Sequence, residues 1–138
     1  MKIEVRFYSR SGNAKKLAEA VAGAFGIMAK DASYPMTEKA DLVFLCSSVY
    51  GGKVDDKIRI FLNSSADKIG CVVNCSTAGL NGSTYNQVKK ICDAAGIKLV
   101  EDEFHCKGKF LFLNGGRPNG QDLDAVSKFA KQVVAKLQ

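Results

Sequence analysis

Apolar and polar positions along this chain follow two alternating rhythms. Ile3-Glu4-Val5-Arg6-Phe7-Tyr8 alternates with a period of two and predicts a strand. From Asn13 to Phe25 the apolar positions are Ala14, Leu17, Ala18, Val21, Ala22 and Phe25, the spacing of one helical face. Gly26 stands where a helix of that length ends. Ile27-Met28-Ala29 reads as a short strand. Asp41 to Cys46 is a nearly continuous apolar run, expected of a strand covered on both faces. Val54, Ile58, Phe61 and Leu62 mark a second helix, and Ile69 to Cys75 a further buried strand. Tyr85, Val88, Cys92 and Ala95 mark a third helix, closed by Gly96. Lys98 to Phe104 and Lys109 to Leu113 both read as strands, with His105-Cys106-Lys107-Gly108 between them. Leu123, Val126, Ala130, Val133, Val134 and Leu137 predict a final helix.

Strand and helix taking turns along residues 1–138, with no change of composition, predict a single α/β domain built on a parallel sheet. Right-handed crossovers then place helices on both faces. Ligands of such sheets sit beyond the carboxyl ends of the strands, where the strand order reverses. That rule directs attention to the segments 9–14, 47–53 and 76–82. Each is read as a loop between a strand and a helix, rich in Ser, Thr, Asn and Gly.

Composition narrows the class. Apolar residues make up 46% of the 138 positions and charged residues 25%, as in an ordinary globular domain. No apolar run approaches the roughly 20 residues of a membrane-spanning helix. The N-terminus lacks the pattern of a secretion signal. A cytoplasmic protein without membrane insertion is the expectation. The five cysteines contain no C-x-x-C and four of them lie inside apolar runs, which suits reduced, buried thiols. With one histidine, His105, no metal-ligand spacing is present and no metal is expected. The net charge of +6 is divided evenly between the two halves. It forms no basic arm or stripe, so nucleic acid is not an expected partner, whereas an acidic protein is.

The corner between the first strand and helix carries the chemistry. Five small or polar residues, Ser9, Arg10, Ser11, Gly12 and Asn13, stand where a plain turn needs two or three. A helix starting near Asn13 presents free N–H groups and the positive end of its dipole. The hydroxyls of Ser9 and Ser11 and the Asn13 amide belong to the same cup, and Gly12 leaves it open to a ligand. Phosphate is the anion that best fits. Arg10 either adds to the cup or faces water, and water is the expected direction. An N-cap role for Ser11 or Asn13 accounts for one of the five residues only. The Walker loop and the G-x-G-x-x-G fingerprint are both absent, the loop holds no nucleophilic cysteine, and the strand ends lack the acidic residues of a phospho-accepting domain. What remains is a phosphate that is bound and not attacked.

Ser9-Arg10-Ser11-Gly12-Asn13-Ala14 resembles the phosphate loop of flavodoxins, [ST]-x-[ST]-G-N-[TA]. Ser47-Ser48-Val49-Tyr50-Gly51-Gly52 resembles the second flavin loop of that family, and Ser76-Thr77-Ala78-Gly79-Leu80-Asn81-Gly82 stands where the third lies. His105-Cys106-Lys107-Gly108-Lys109 followed by Arg117-Pro118-Asn119-Gly120 is similar to short bacterial members. The resemblance implies a flavodoxin-like fold with a five-stranded parallel sheet in the order 2-1-3-4-5, and FMN as cofactor. It places the phosphate on Ser9, Ser11, Asn13 and the amides of Arg10, Gly12 and Ala14. Tyr50 would stack on the ring, the Gly51 peptide would turn over on reduction, and the backbone of residues 77–81 would meet the pyrimidine edge. Three departures stand out. Ala14 lacks a hydroxyl, there is no tryptophan, and Leu80 replaces a frequent aromatic in the third loop. The family is usually acidic and this chain is basic, which implies different partners and a milder second-electron potential. The implied function is a one-electron carrier between redox proteins, monomeric or weakly dimeric, with no catalytic side chain of its own. The alternatives are an FMN-dependent NAD(P)H:quinone-type reductase and a phosphate-ligand binding module without redox chemistry. Cys106 is expected to be an ordinary buried or exposed thiol rather than a partner of the flavin.

Overall fold

The order of elements follows the sequence rhythm. A computed structural model describes residues 1–80 and 82–138. Strand β1 (Ile3–Phe7) leads into helix α1 (Asn13–Ala24) and the two-residue strand β2 (Lys30–Asp31). Strand β3 (Ala40–Tyr50) turns into β4 (Lys53–Val54), followed by helix α2 (Asp56–Ser65) and one 3-10 turn. Strand β5 (Ile69–Ala78), helix α3 (Tyr85–Ala95), strand β6 (Lys98–Lys107) and helix α4 (Gly120–Leu137) complete the chain. The sheet order is β2-β1-β3-β5-β6, with all of these pairings parallel, while β4 folds back antiparallel on the end of β3. With that small hairpin strand set aside, the order is the expected 2-1-3-4-5.

Side-chain alternation in the central strands divides the core into two clusters. Leu42, Phe44 and Cys46 of β3 pack with Val5, Phe7, Val73 and Cys75 under α1 and α4. Val43 and Leu45 point the other way, with Val72, into the cluster under α2 and α3. The apolar stripe of α1 is buried from Ala14 to Ala22 as its period requires, and Gly26 follows with a φ of 65°. Among the described residues no helix is long and apolar enough to cross a membrane.

Four expectations require correction. Residues 47–50 and 76–78 are strand, not loop: the β3–β5 ladder continues through Ser47↔Ser76 and Ser48↔Thr77, and Ala78 ends β5. These residues satisfy their backbone in the ladder, and Ser48 and Thr77 also pair their hydroxyls across it, so polarity did not mark a loop. The chain then reverses at Gly51 and Gly52, whose φ values of 57° and 79° are those of a tight two-residue hairpin. Val54 accordingly belongs to β4 and not to α2. The strand expected at Ile27–Ala29 is the pair Lys30–Asp31 instead, where it reaches Arg6 and Phe7 of β1. Finally, Lys109–Leu113 is no strand. Strand β6 already runs through His105, Cys106 and Lys107, opposite Ser76, Thr77 and Ala78. Beyond it the chain leaves the sheet and closes a small turn through reciprocal Phe110–Leu113 backbone hydrogen bonds of 3.1 and 2.9 Å. Leu111 and Phe112 lie exposed on that turn, because the sheet edge offers them nothing to pack on.

Candidate functional site

Strand order reverses between β1 and β3, and their carboxyl ends meet the end of β5 at one crevice. Ser11, Asn13, Ser48, Tyr50, Thr77 and Gly79 border it, together with Lys109 and Phe110 from the segment after β6. The three segments singled out in the sequence are therefore brought together, joined by a fourth.

The corner between β1 and α1 is hydrogen-bonded within the protein, with the Arg10 and Gly12 N–H groups, two of the three amides expected to meet a phosphate, donating to Tyr50 and Ser9. The Ser9 hydroxyl accepts a hydrogen bond of 2.9 Å from the Gly12 N–H, folding residues 9–12 back on themselves. Gly12 is the N-cap of α1 with a φ of 90°, a backbone that disfavours any side chain. No side chain caps this helix. Its first-turn N–H groups therefore face outward with the dipole behind them. Asn13 is buried, and its Nδ2 donates to the Lys109 carbonyl at 3.0 Å. That side chain is thus a tether to the 108–117 segment, and its crossing needs Gly108. A Cβ there would lie 2.6 Å from Asn13 Nδ2.

Arg10 turns to Asp55 rather than into the cup, and its side chain is 59% exposed, the outward direction expected. Its guanidinium forms an ion pair with Asp55 and lies 4.5 Å from the centroid of the Tyr50 ring. Burial pushes the Asp55 carboxyl up. The hydrogen bonds from the Lys57 N–H and from Arg10, with the Arg10 charge, outweigh it and hold Asp55 below the usual carboxylate range. The Tyr50 hydroxyl accepts from the Arg10 N–H at 2.8 Å, so this residue links the first corner to the hairpin. Arg10 covers one face of Tyr50.

The hydroxyls of the second and third segments divide between two sides. Ser48 and Thr77 share a hydrogen bond of 2.6 Å at the crevice. Ser47 is bonded instead to Thr84 at 2.9 Å, and Ser76 accepts from the Thr84 N–H. Asn74 joins Thr84 from below, and Ser83 reaches Glu103. This buried polar network fixes the start of α3 and uses the Ser47 and Ser76 side chains for that purpose. Sequence reading missed it, since Asn74 and Thr84 show no pattern until β5 and α3 are packed. It also missed Gln87, whose side chain accepts from the Val54 N–H and donates to the Gly52 carbonyl, clamping the Gly51–Gly52 hairpin to α3. Val49 pairs with Val54 in that hairpin. Ala14 is fully buried under the helix start, while Leu80 is 71% exposed. Gly82 adopts a φ of 141°. Asn81 lies outside the described residues.

Cys106 is partly buried on β6, beside a groove that Arg117 and Asp122 also line. Burial, with a smaller contribution from Asp122, pushes its thiol up to about 12. It is protonated at neutral pH and unsuited to nucleophilic work. Among the described residues no cluster of His, Cys, Asp or Glu is arranged to hold a metal ion.

The donor set fits a phosphorylated aromatic ligand: uncapped helix N–H groups, a tyrosine face, and the strand-end backbone of Ala78 and Gly79 at one crevice. The open space inside that crevice is about 40 Å³, room for one water-sized molecule, with Tyr50 and Phe110 both on its border.

No protein-family model matches the chain, and no curated protein matches it by sequence. Solved structures do. A flavodoxin from the domain Archaea superposes with a TM-score of 0.78 at 17% identity, covering 99% of this chain and 98% of the other. A short-chain flavodoxin associated with a non-canonical PDU bacterial microcompartment gives 0.71 at 19% identity over the full length of both chains. Oxidised flavodoxin 2 from Bacillus cereus gives 0.70 at 16% identity, covering 99% of each. At these identities the likeness is one of fold.

Proposed function

We propose, on the premise of a flavodoxin-like fold, that this chain binds FMN and carries electrons one at a time between protein partners. The observation that supports this reading most is the convergence of an uncapped, glycine-started helix with the Tyr50 face and the ends of β3 and β5 at one crevice. FMN, when bound, supplies the redox chemistry. The chain's own residues bind and orient. The first-turn amides of α1, with Ser9 and Ser11, hold the phosphate, and Asn13 fixes the corner to the 108–117 segment. Tyr50 offers the face away from Arg10 to the ring, and its hydroxyl keeps the corner and hairpin in register. Gly51 gives the hairpin a peptide that changes orientation cheaply. The backbone at Ala78 and Gly79 meets the polar edge of the ring. Ser48 and Thr77 keep β3 and β5 locked beneath it.

The carrier reading is favoured over a reductase by the shape of the site. A groove of about 500 Å³ runs beside Tyr50 and Phe110, but it is open and bordered by Arg10, Lys53 and Asp55 rather than enclosed for a second organic substrate. A basic chain of net charge +6 suits redox partners with acidic surfaces, in a cytoplasmic setting. The test is stepwise anaerobic reduction of the FMN-loaded protein together with a turnover assay. Two separable one-electron steps and no rapid NAD(P)H oxidation with a quinone are expected. Fast quinone-dependent turnover would replace the carrier with the reductase. A protein that takes up no FMN would leave only a phosphate-ligand module.

A further inference from the structure

The segment between β6 and α4 is fastened to the crevice at several points. The Gly108 N–H donates to the Ala78 carbonyl at 3.0 Å, and the Lys109 N–H to the Arg117 carbonyl at 2.8 Å. Asn114 Nδ2 donates to the Gly79 carbonyl at 2.6 Å, and Asn13 Nδ2 to the Lys109 carbonyl at 3.0 Å. These ties bring Phe110 directly onto Gly79. A Cβ at Gly79 would lie 2.6 Å from the Phe110 Cβ and 3.1 Å from its Cγ, so a residue with no side chain is what admits the phenylalanine. Phe110 and Tyr50 border the same narrow space. The third loop, by contrast, presents Leu80 to solvent and has no ring of its own.

We propose that Phe110 is the second aromatic wall of the flavin site, opposite Tyr50, supplied by the 108–117 segment in place of the third loop. This rests on the FMN reading above. The ligand ring enters between the two side chains and parts them. Phe110 is itself 52% exposed, and the tip of its turn faces solvent at Leu111 (72%) and Phe112 (92%), so the side chain can swing outward while the ties at Gly108, Lys109 and Asn114 hold. Once seated, the ring has Tyr50 on one face and Phe110 on the other, which removes water from both.

The test is FMN titration of the wild-type protein and of Phe110→Ala, Phe110→Tyr and Phe112→Ala, followed by acrylamide quenching of the bound flavin. Loss of one stacked ring and its burial predicts about ten-fold weaker binding for Phe110→Ala. Its flavin should also be more open to acrylamide. Phe110→Tyr keeps the ring and should bind within about two-fold of wild type. Phe112→Ala, two residues along on the exposed tip, should bind unchanged. Equal or tighter binding by Phe110→Ala overturns the proposal and makes Phe110 a plug that competes with the ligand, leaving the FMN reading intact. An equal loss in Phe112→Ala overturns it by pointing to the loop as a whole. If the wild-type protein itself takes up no FMN, this proposal and the FMN reading fall together.

Discussion

Gly108→Ala isolates the link between the phosphate-type corner and the segment that closes over it. The added methyl would stand 2.6 Å from Asn13 Nδ2, 3.0 Å from its Cγ and 3.1 Å from the Thr77 Cβ. Asn13 is buried, so its amide has little room to withdraw and must give up its hydrogen bond to Lys109. Overpacking of a tight site costs about 1–3 kcal/mol. A lost hydrogen bond adds about 0.5–1.5 kcal/mol. The sum expected is about 1.5–4.5 kcal/mol, read as a drop of about 5–15 °C in Tm for a chain of this length. The decisive assay is a double-mutant cycle with Asn13→Ala by urea denaturation. With the asparagine shortened, the methyl meets only Thr77, and its cost should fall below about 1 kcal/mol. The coupling energy between the two positions should then be about 1–2 kcal/mol. Equal costs of Gly108→Ala in both backgrounds, within about 0.5 kcal/mol, would refute the tether.

Further outcomes follow from the same geometry. Asp122 receives a bidentate contact from Arg117, at 2.6 and 2.9 Å, and closes the capping box of α4 with Asn119. The Arg117 hydrogen bonds and the Asn119 N–H outweigh burial and hold its carboxyl below the usual range. The stability it adds is therefore present above about pH 4 and lost as pH falls through the depressed value. Asp122→Asn should cost about 1 kcal/mol at pH 7 and flatten the acid limb of the stability profile; an unchanged acid limb would contradict this. Cys106, with its thiol pushed up to about 12, should resist iodoacetamide at pH 7.5 in the folded protein. Its rapid alkylation, followed by mass spectrometry, would show a thiolate that the structure does not predict. A less negative surround should destabilise an anionic reduced flavin less than acidic flavodoxins do. Spectroelectrochemistry should then give a higher second-electron potential than theirs, and an equal or lower one would count against the charge argument.

How much of this was legible depends on which residues had to meet. The stripe from Ala14 to Ala22 and the run from Leu42 to Cys46 needed only their own period, and they gave α1 and the first part of β3. The strand-to-helix corner at residues 9–13 was legible because its residues are consecutive and start a helix. The ends of β3 and β5 were not, since Ser47, Ser48, Ser76 and Thr77 look like loop residues until they pair with one another. The Gly51–Gly52 pair between Val49-Tyr50 and Lys53-Val54 was an available hairpin signal that went unread. Lys109–Leu113 has the apolar composition of a strand but no neighbour to bond, and tertiary context decided against it. The role of Asn13 as a tether depends on Gly108 and Lys109, far along the chain. No local pattern announces that contact. The same holds for Phe110 on Gly79.

The most direct test of the central claim compares FMN with riboflavin, which has the same ring and no phosphate. If the uncapped start of α1 is an anion socket, calorimetric titration should show FMN binding at least about a hundred-fold more tightly, given the several charge-assisted N–H contacts involved. Replacing Ser11 by alanine should shrink that difference. Equal affinities for the two flavins, or no binding of either, would contradict the account.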